Sequence, residues 1–295
     1  MADPSAAARR TYLLPLTLAL ALAAGPARAQ GSYTWRNVVI KGGGFVTGVE
    51  FHPTAPGVIY ARTDVGGAYR WNAATNAWVP LLDWLGRDIA HYMGVDAIAA
   101  DPSDANRVYV VGGQYTQDWA GFAAVLRSAD RGATFQVTSL QAQNIKMGGN
   151  ENGRSMGERL AVDPNLGTIL FLATRNQGLW RSADRGATWS RVASFPVSTT
   201  STGAGLSFVK FVSGTIGGGG PTQVIYVGAA QQGGTALYRS TDAGTTWQAV
   251  AGQPTNLLPH HAALDADGVT LYLTYDASVS GGDNADLWTA TRSCL

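Results

Sequence analysis

Short β-branched and aromatic runs alternate with glycine- and proline-bearing turns along this 295-residue chain, and they recur in sets of four. The first run of each set follows a glycine: Gly48-Val49-Glu50-Phe51, Gly94-Val95-Asp96-Ala97-Ile98, Gly157-Glu158-Arg159-Leu160-Ala161-Val162 and Gly205-Leu206-Ser207-Phe208. His52-Pro53, Asp101-Pro102 and Asp163-Pro164 then mark tight reversals, because proline and Asp favour turn geometry. A second run is more uniformly apolar, as in Val58-Ile59-Tyr60-Ala61, Val108-Tyr109-Val110-Val111, Ile169-Leu170-Phe171-Leu172 and Val224-Ile225-Tyr226-Val227. A third ends in an apolar–arginine pair, Tyr69-Arg70, Leu126-Arg127, Trp180-Arg181 or Tyr238-Arg239, and a fourth follows, as in Trp189-Ser190-Arg191-Val192. No stretch of ten or more residues after the first thirty carries a helical period, so each set predicts a four-stranded antiparallel sheet.

Between the third and fourth runs lies an octapeptide of the form S-x-D-x-G-x-T-[FW]. It begins at Ser128, Ser182 and Ser240, spacings of 54 and 58 residues. Tandem sheets at such a period are blades of a β-propeller. The fold class expected is therefore all-β, with about four to five blades present at this spacing. The first blade keeps Tyr69-Arg70 but carries a degenerate box from Trp71 to Trp78, and a fifth set starts near His260 with Val269-Thr270-Leu271-Tyr272-Leu273. The end, from Thr289 to Leu295, gives no closing strand, and the chain reads as the front part of something longer. The octapeptides resemble the Asp box of sialidase-like propellers, and their chemistry is that of a turn. Asp accepts backbone amides, Gly supplies positive φ, and Trp or Phe plugs the gap between blades. Asp130, Asp184 and Asp242 are thus structural rather than catalytic.

Composition narrows the class. Arg9 and Arg10 precede an apolar run from Leu13 to Ala24, and Ala27-Arg28-Ala29 reads as a cleavage site. Residues 1–29 are expected to be a secretory signal peptide and residues 30–295 the exported, soluble propeller. The single cysteine, Cys294, excludes an internal disulfide and any cysteine-based metal cluster. Charged residues make up 14% and the net charge is +1 without basic blocks, which argues against nucleic acid as a partner. Glycine (37) and tryptophan (9) are abundant, which suits an all-β protein handling a neutral ligand. No cofactor or metal is expected. His260-His261 does not read as a zinc dyad, because adjacent strand residues point to opposite faces.

The repeat also orients the molecule. With strands A to D counted outward from the channel, A–B turns and Asp-box C–D turns share one face, and B–C loops and D–A links share the other. That second face gathers Asp64, in Thr63-Asp64-Val65-Gly66-Gly67, with Tyr115 and Trp119 in the next B–C loop. Trp84, His91 and Arg154 lie on the D–A links. Aromatic rings at a wet surface suit stacking on sugars. Glu158 and Arg159 are expected to pair with each other at the start of an inner strand.

The segment Arg62-Thr63-Asp64-Val65-Gly66-Gly67-Ala68-Tyr69-Arg70 resembles the first-blade motif of glycoside hydrolase family 74, the xyloglucan-cleaving endo-β-1,4-glucanases. The likeness extends through Tyr33-Thr34-Trp35-Arg36-Asn37-Val38, the run from Gly153 to Pro164, and Leu258-Pro259-His260-His261. It implies two seven-bladed propellers facing across a cleft that binds a branched glucan, and inverting hydrolysis by two aspartates, one from each propeller. Asp64 looks like the general base; Tyr115, Trp119, Trp84, His91 and Arg154 are candidate substrate contacts. The general acid would come from the second propeller, which has no counterpart here, so this chain alone is expected to be weakly active or inactive. It is expected to be a monomer, although an incomplete ring leaves a blade edge prone to association. The alternative is a non-catalytic carbohydrate-binding propeller. A sialidase reading lacks the Arg-Ile-Pro motif, and an Asp-box assembly factor would lack the Asp64 loop.

Overall fold

The computed structural model describes residues 40–216, 218–265 and 268–280, and the backbone of a strand at Asp286–Thr291. The expected signal peptide, the Tyr33 to Val38 segment and Cys294 lie outside the described residues.

Five antiparallel sheets follow one another along the chain, each in simple sequence order. The first comprises β1 (Val46–Phe51), β2 (Ile59–Thr63), β3 (Ala68–Asn72) and β4 (Ala77–Pro80). The second comprises β5 (Val95–Asp101), β6 (Asp104–Gly112), β7 (Ala124–Ser128) and β8 (Gln136–Ser139). In the third are β9 (Leu160–Val162), β10 (Leu170–Ala173), β11 (Leu179–Ser182) and β12 (Ser190–Arg191). The fourth holds β13 (Leu206–Phe211), β14 (Ile225–Ala229), β15 (Leu237–Ser240) and β16 (Gln248–Ala249). In the fifth, β17 (Leu258–Leu264) and β18 (Thr270–Asp276) are joined by β19 (Asp286–Thr291). The helical content described is two short 3-10 segments, Arg87–Met93 and Gln141–Gln143.

The fifth sheet extends beyond the run at Val269 to Leu273: β19 pairs with β18 from Tyr275↔Asp286 to Thr270↔Thr291 as its third strand. Small and polar residues hide the signal, and the backbone ladder along β18 supplies what side-chain pattern does not.

The core lies between blades rather than within one. Ala97, Tyr109 and Val125 of the second sheet meet Leu160, Leu170 and Trp189 of the third. Comparable clusters join the first sheet to the second, the third to the fourth and the fourth to the fifth. Middle blades are therefore covered on both faces, and this is why β5 and β14 are buried along their whole length instead of alternating. The first strands carry a recurring irregularity: register shifts occur at Val46/Gly48, Val95/Ala97, Leu206/Phe208 and Pro259/His261. Such bulges re-aim side chains at the rim of a sheet.

The Asp boxes are closed turns. Ser128 Oγ donates to Asp130 Oδ1 at 2.7 Å and receives the Gly132 amide at 2.8 Å. Asp130 also accepts the Thr134 amide and hydroxyl at 2.9 and 2.5 Å. The same bonds recur around Asp184 and Asp242. The Thr134 and Ser128 hydroxyls hold the Asp130 pKa down to about 2, and the carboxylate is occupied within its own turn. Positive φ falls on the residue before the glycine as well, at Arg131, Arg185 and Ala243. In the degenerate first box Asn76 takes that conformation and Trp71 meets Trp78 edge-on at 5.5 Å.

Candidate active site

Asp64 sits in the β2–β3 loop, on the face away from the Asp boxes. The boxes bond to the A–B turns, Arg131 N–H to Asn106 O and Arg185 N–H to Thr168 O, which fixes those turns on the opposite side. The loop is shaped by Thr63, whose hydroxyl donates to Gly67 O at 2.9 Å and receives the Gly66 amide at 2.8 Å. A glycine run, Gly42-Gly43-Gly44, lies directly on it. A Cβ at Gly66 would meet Gly43 O at 1.9 Å, and one at Gly44 would meet Asp64 Oδ1 at 2.6 Å. Only glycine permits that approach. Asp64 is consequently recessed, 6% exposed, beneath residues 43–45.

Its carboxylate has two neighbours. Oδ1 accepts the Phe45 amide at 2.7 Å, and Oδ2 lies 3.4 Å from Arg154 Nε. The Arg154 guanidinium also stands over the Phe45 ring at 5.7 Å, while Phe45 itself is 57% exposed. Thus Asp64, Arg154 and Phe45 form one patch, assembled from two D–A-type segments and a B–C loop.

Arg154 is carried by the long link 148–157, which is anchored by buried charges. Arg62, on β2 and fully buried, donates to Arg154 O and Met156 O at 2.8 and 3.0 Å, to Thr47 Oγ1 at 2.8 Å, and to Glu158 Oε1 at 2.8 Å. Arg175 donates to Gly148 O and Asn152 O at 2.7 and 2.6 Å and grips Asp96 through two bonds of 2.8 Å. Burial alone would raise the Asp96 pKa, but Arg175 and Arg159 outweigh it and hold the carboxyl well below its ordinary range. Burial and the adjacent Arg175 push Arg159 down, with Asp96 opposing. The expected Glu158–Arg159 pair does not form: Glu158 bonds Arg62 and the Ile98 amide, whereas Arg159 faces Asp96 at 3.4 Å and bonds Leu206 O. The two residues lie just before β9, and their side chains diverge to different partners along β5 and its neighbours.

Other candidates divide into two groups. Tyr115 is half-buried, accepts Asn150 Nδ2–H at 2.6 Å and packs on Trp119 at 5.2 Å; Trp119 is 72% exposed. Their loop is tied to the link by Thr116, which donates to Glu151 at 2.8 to 3.0 Å, and Asn150 N–H bonds Gln114 O. His91 contacts Phe122 O in that same loop at 3.1 Å and packs at a tilt against Tyr92. Trp84 stands apart. It stacks on Phe135, the last residue of the first Asp box, at 6.3 Å, and its indole N–H bonds Leu81 O. His260 and His261 are each engaged by a backbone carbonyl, Ser278 O and Gly157 O, both at 2.8 Å. Phe45 and the Gly42–Gly44 run are absent from the sequence-derived candidates; three consecutive glycines before an aromatic residue were the available signal.

The fold and this patch define an Asp-box β-propeller carrying a recessed carboxylate beside a guanidinium and exposed aromatics. No family model matches the chain. A xyloglucanase of a Paenibacillus species is 48% identical over 94% of this chain, and xyloglucanase Xgh74A of Acetivibrio thermocellus is 51% identical over 82%. The crystal structure of the family 74 xyloglucanase from Xanthomonas campestris superposes with a TM-score of 0.80 at 48% identity, covering 88% of this chain and 38% of that one. The corresponding Niastella koreensis enzyme gives 0.79 at 41%, covering 86% and 37%. Over the stretch it spans, the chain belongs to glycoside hydrolase family 74. It covers 29 and 30% of the length of the two curated relatives. No helix among the described residues is long and apolar enough to cross a membrane.

Proposed function

We propose that this chain is the glucan-binding and base-supplying part of an exported xyloglucan hydrolase, with Asp64 as general base. The observation that carries the reading is the Asp64 patch on the B–C face, in a chain close to half identical to xyloglucanases. A general base must take a proton from water through a lone pair that is not already spent. Asp64 Oδ1 is occupied by one amide, while Arg154 Nε, at 3.4 Å from Oδ2, lies at ion-pair distance without an aligned hydrogen bond. Oδ2 thus retains acceptor capacity, and Arg154 orients the group.

In an inverting mechanism the base and acid stand roughly 6.5–9.5 Å apart, with the attacking water between base and sugar. The reading assigns the acid to the second propeller that the family resemblance implies, outside these 295 residues. Tyr115, Trp119 and Arg154 would hold the glucan across the same face, and His91 would brace the loop beneath it.

A second reading, a binding module without turnover, is favoured by the 72% exposure of Trp119 beside Tyr115. Affinity electrophoresis in xyloglucan gels, with reducing-end release measured in parallel, separates the two. The hydrolase reading expects retardation in both wild type and Asp64→Asn, and, once an acid-bearing second propeller is supplied in trans, release that Asp64→Asn abolishes. Retardation with no release even when that second propeller is supplied would favour the binding module. Migration unaffected by xyloglucan would sink both.

A further inference from the structure

On the opposite face, between the second and third blades, lies a cavity of about 420 Å³ that the Asp64 chemistry does not use. Tyr109, Arg107, Arg127 and Arg185 line it, together with Asp130 and Asp184 of the two adjacent Asp boxes. Arg107 Nε is spent on Asp104 at 3.0 Å, and donors remain on Tyr109 and Arg127. Tyr109 is 1% exposed, and its hydroxyl, beside the Arg107 guanidinium, meets no acceptor for its proton. Arg127 Nε is likewise buried without a partner, while its Nη2 holds Gln136. Both carboxylates are consumed by the serine and threonine of their own boxes.

The repeat supplies internal controls. Each blade sets a second-strand ring opposite the third-strand arginine: Tyr60↔Arg70, Tyr109↔Arg127, Phe171↔Arg181 and Tyr226↔Arg239. Between the third and fourth blades the corresponding cavity is about 330 Å³, the ring is Phe171 without a hydroxyl, and Ala243 stands where Arg185 does. Between the first and second blades the guanidiniums are spent on protein, Arg70 on Arg131 O and Arg131 on Asn106. Of these two cavities, the second–third one is lined by buried donors without a partner, Tyr109 Oη and Arg127 Nε.

A buried donor left without an acceptor costs roughly 1–3 kcal/mol, and the Arg127 and Arg185 guanidiniums with a phenol are matched by a ligand rich in acceptors. A volume near 420 Å³ falls in the range of about 300–1,000 Å³ that holds small organic ligands. We propose that this groove binds a monosaccharide-sized carboxylate, the uronate of an acidic sugar, with Tyr109 Oη and Arg127 Nε donating to the carboxylate oxygens and Arg185 closing the outer side. It is independent of the glucan face.

Isothermal titration of the 295-residue chain with glucuronate, sodium sulfate and glucose tests this. Expected are saturable glucuronate binding, weaker sulfate binding and none for glucose. Tyr109→Phe should weaken glucuronate about tenfold, the scale of one hydrogen bond to a charged group, with a melting temperature no lower than that of wild type because its O–H meets no protein acceptor. Arg185→Ala, at an exposed position, should weaken it similarly. Sulfate binding as tightly as glucuronate would overturn the uronate and leave a simple oxyanion site. No heat up to tens of millimolar, or glucuronate binding indifferent to both substitutions, would overturn the site. Xyloglucan retardation should be the same in Tyr109→Phe as in wild type, so the two readings fail separately.

Discussion

Asp96→Ala would test whether the buried charges, rather than the loop's own sequence, hold the 148–157 link over the site. The Asp96 carboxylate is fully buried, receives Arg175 through two bonds of 2.8 Å and the Gly148 amide at 3.1 Å, and faces Arg159 at 3.4 Å. Alanine leaves two guanidiniums in the interior with their shared counter-ion gone. Breaking a buried pair from one side costs about 3–5 kcal/mol, against a total stability of about 5–15 kcal/mol for a domain. With a urea m-value of roughly 3 kcal/mol/M, the midpoint falls by about 1–1.7 M. Asp96→Asn, which keeps one acceptor, should lose less. The acid limb gives an independent reading. Because the folded pKa of Asp96 is depressed, its stabilisation is complete above the ordinary Asp range and drains as pH falls through it towards the folded value. Wild type should therefore lose stability below about pH 4 more steeply than Asp96→Asn. Equilibrium urea melts followed by tryptophan fluorescence measure both. A midpoint shift below about 0.3 M at unchanged m would mean that the guanidiniums find other partners, and the anchoring argument would fail.

Glu50 should show the opposite pH behaviour. Burial, then Glu158, push its pKa from 4.5 up to about 7, so the folded state holds more protons than the unfolded between those values. Stability then falls as pH rises through that window, and Glu50→Gln should flatten the slope in the same melts; equal slopes would refute it. On β1, Val49 and Phe51 are 46 and 65% exposed on one face. Sedimentation velocity should show concentration-dependent association of wild type, reduced several-fold by Phe51→Ser; a single monomeric species at every concentration would contradict this. Trp119→Ala should weaken xyloglucan retardation about fivefold or more, in line with roughly 1–3 kcal/mol for an aromatic platform by analogy with base stacking, and unchanged migration would remove Trp119 from the glucan face.

The blades were legible because apolar runs, proline-marked turns and the S-x-D-x-G box all recur in register, and the box declared its own bonding. Face assignment followed from counting hairpins, and it placed Asp64 and Arg154 together without any contact being visible in sequence. Hairpin counting does not foresee that the Trp84 ring stacks on Phe135. The Glu158–Arg159 pairing failed because Arg62 and Asp96, distant in sequence, claim the two side chains. The cross-blade grips of Arg62 and Arg175 span 96 and 79 residues to Glu158 and Asp96, and nothing local in the sequence announces a partner that distant. Strand β19 was hidden by its Ala and Thr content.

Hydrogen–deuterium exchange on the 295-residue chain, with and without a xyloglucan oligosaccharide, bears most directly on the glucan-face claim. Slower exchange confined to residues 43–45, 64–67, 114–119 and 150–154 is the predicted result. Protection falling instead on the Asp-box turns at 128–135 and 182–189, with the Asp64 loop unchanged, would contradict it.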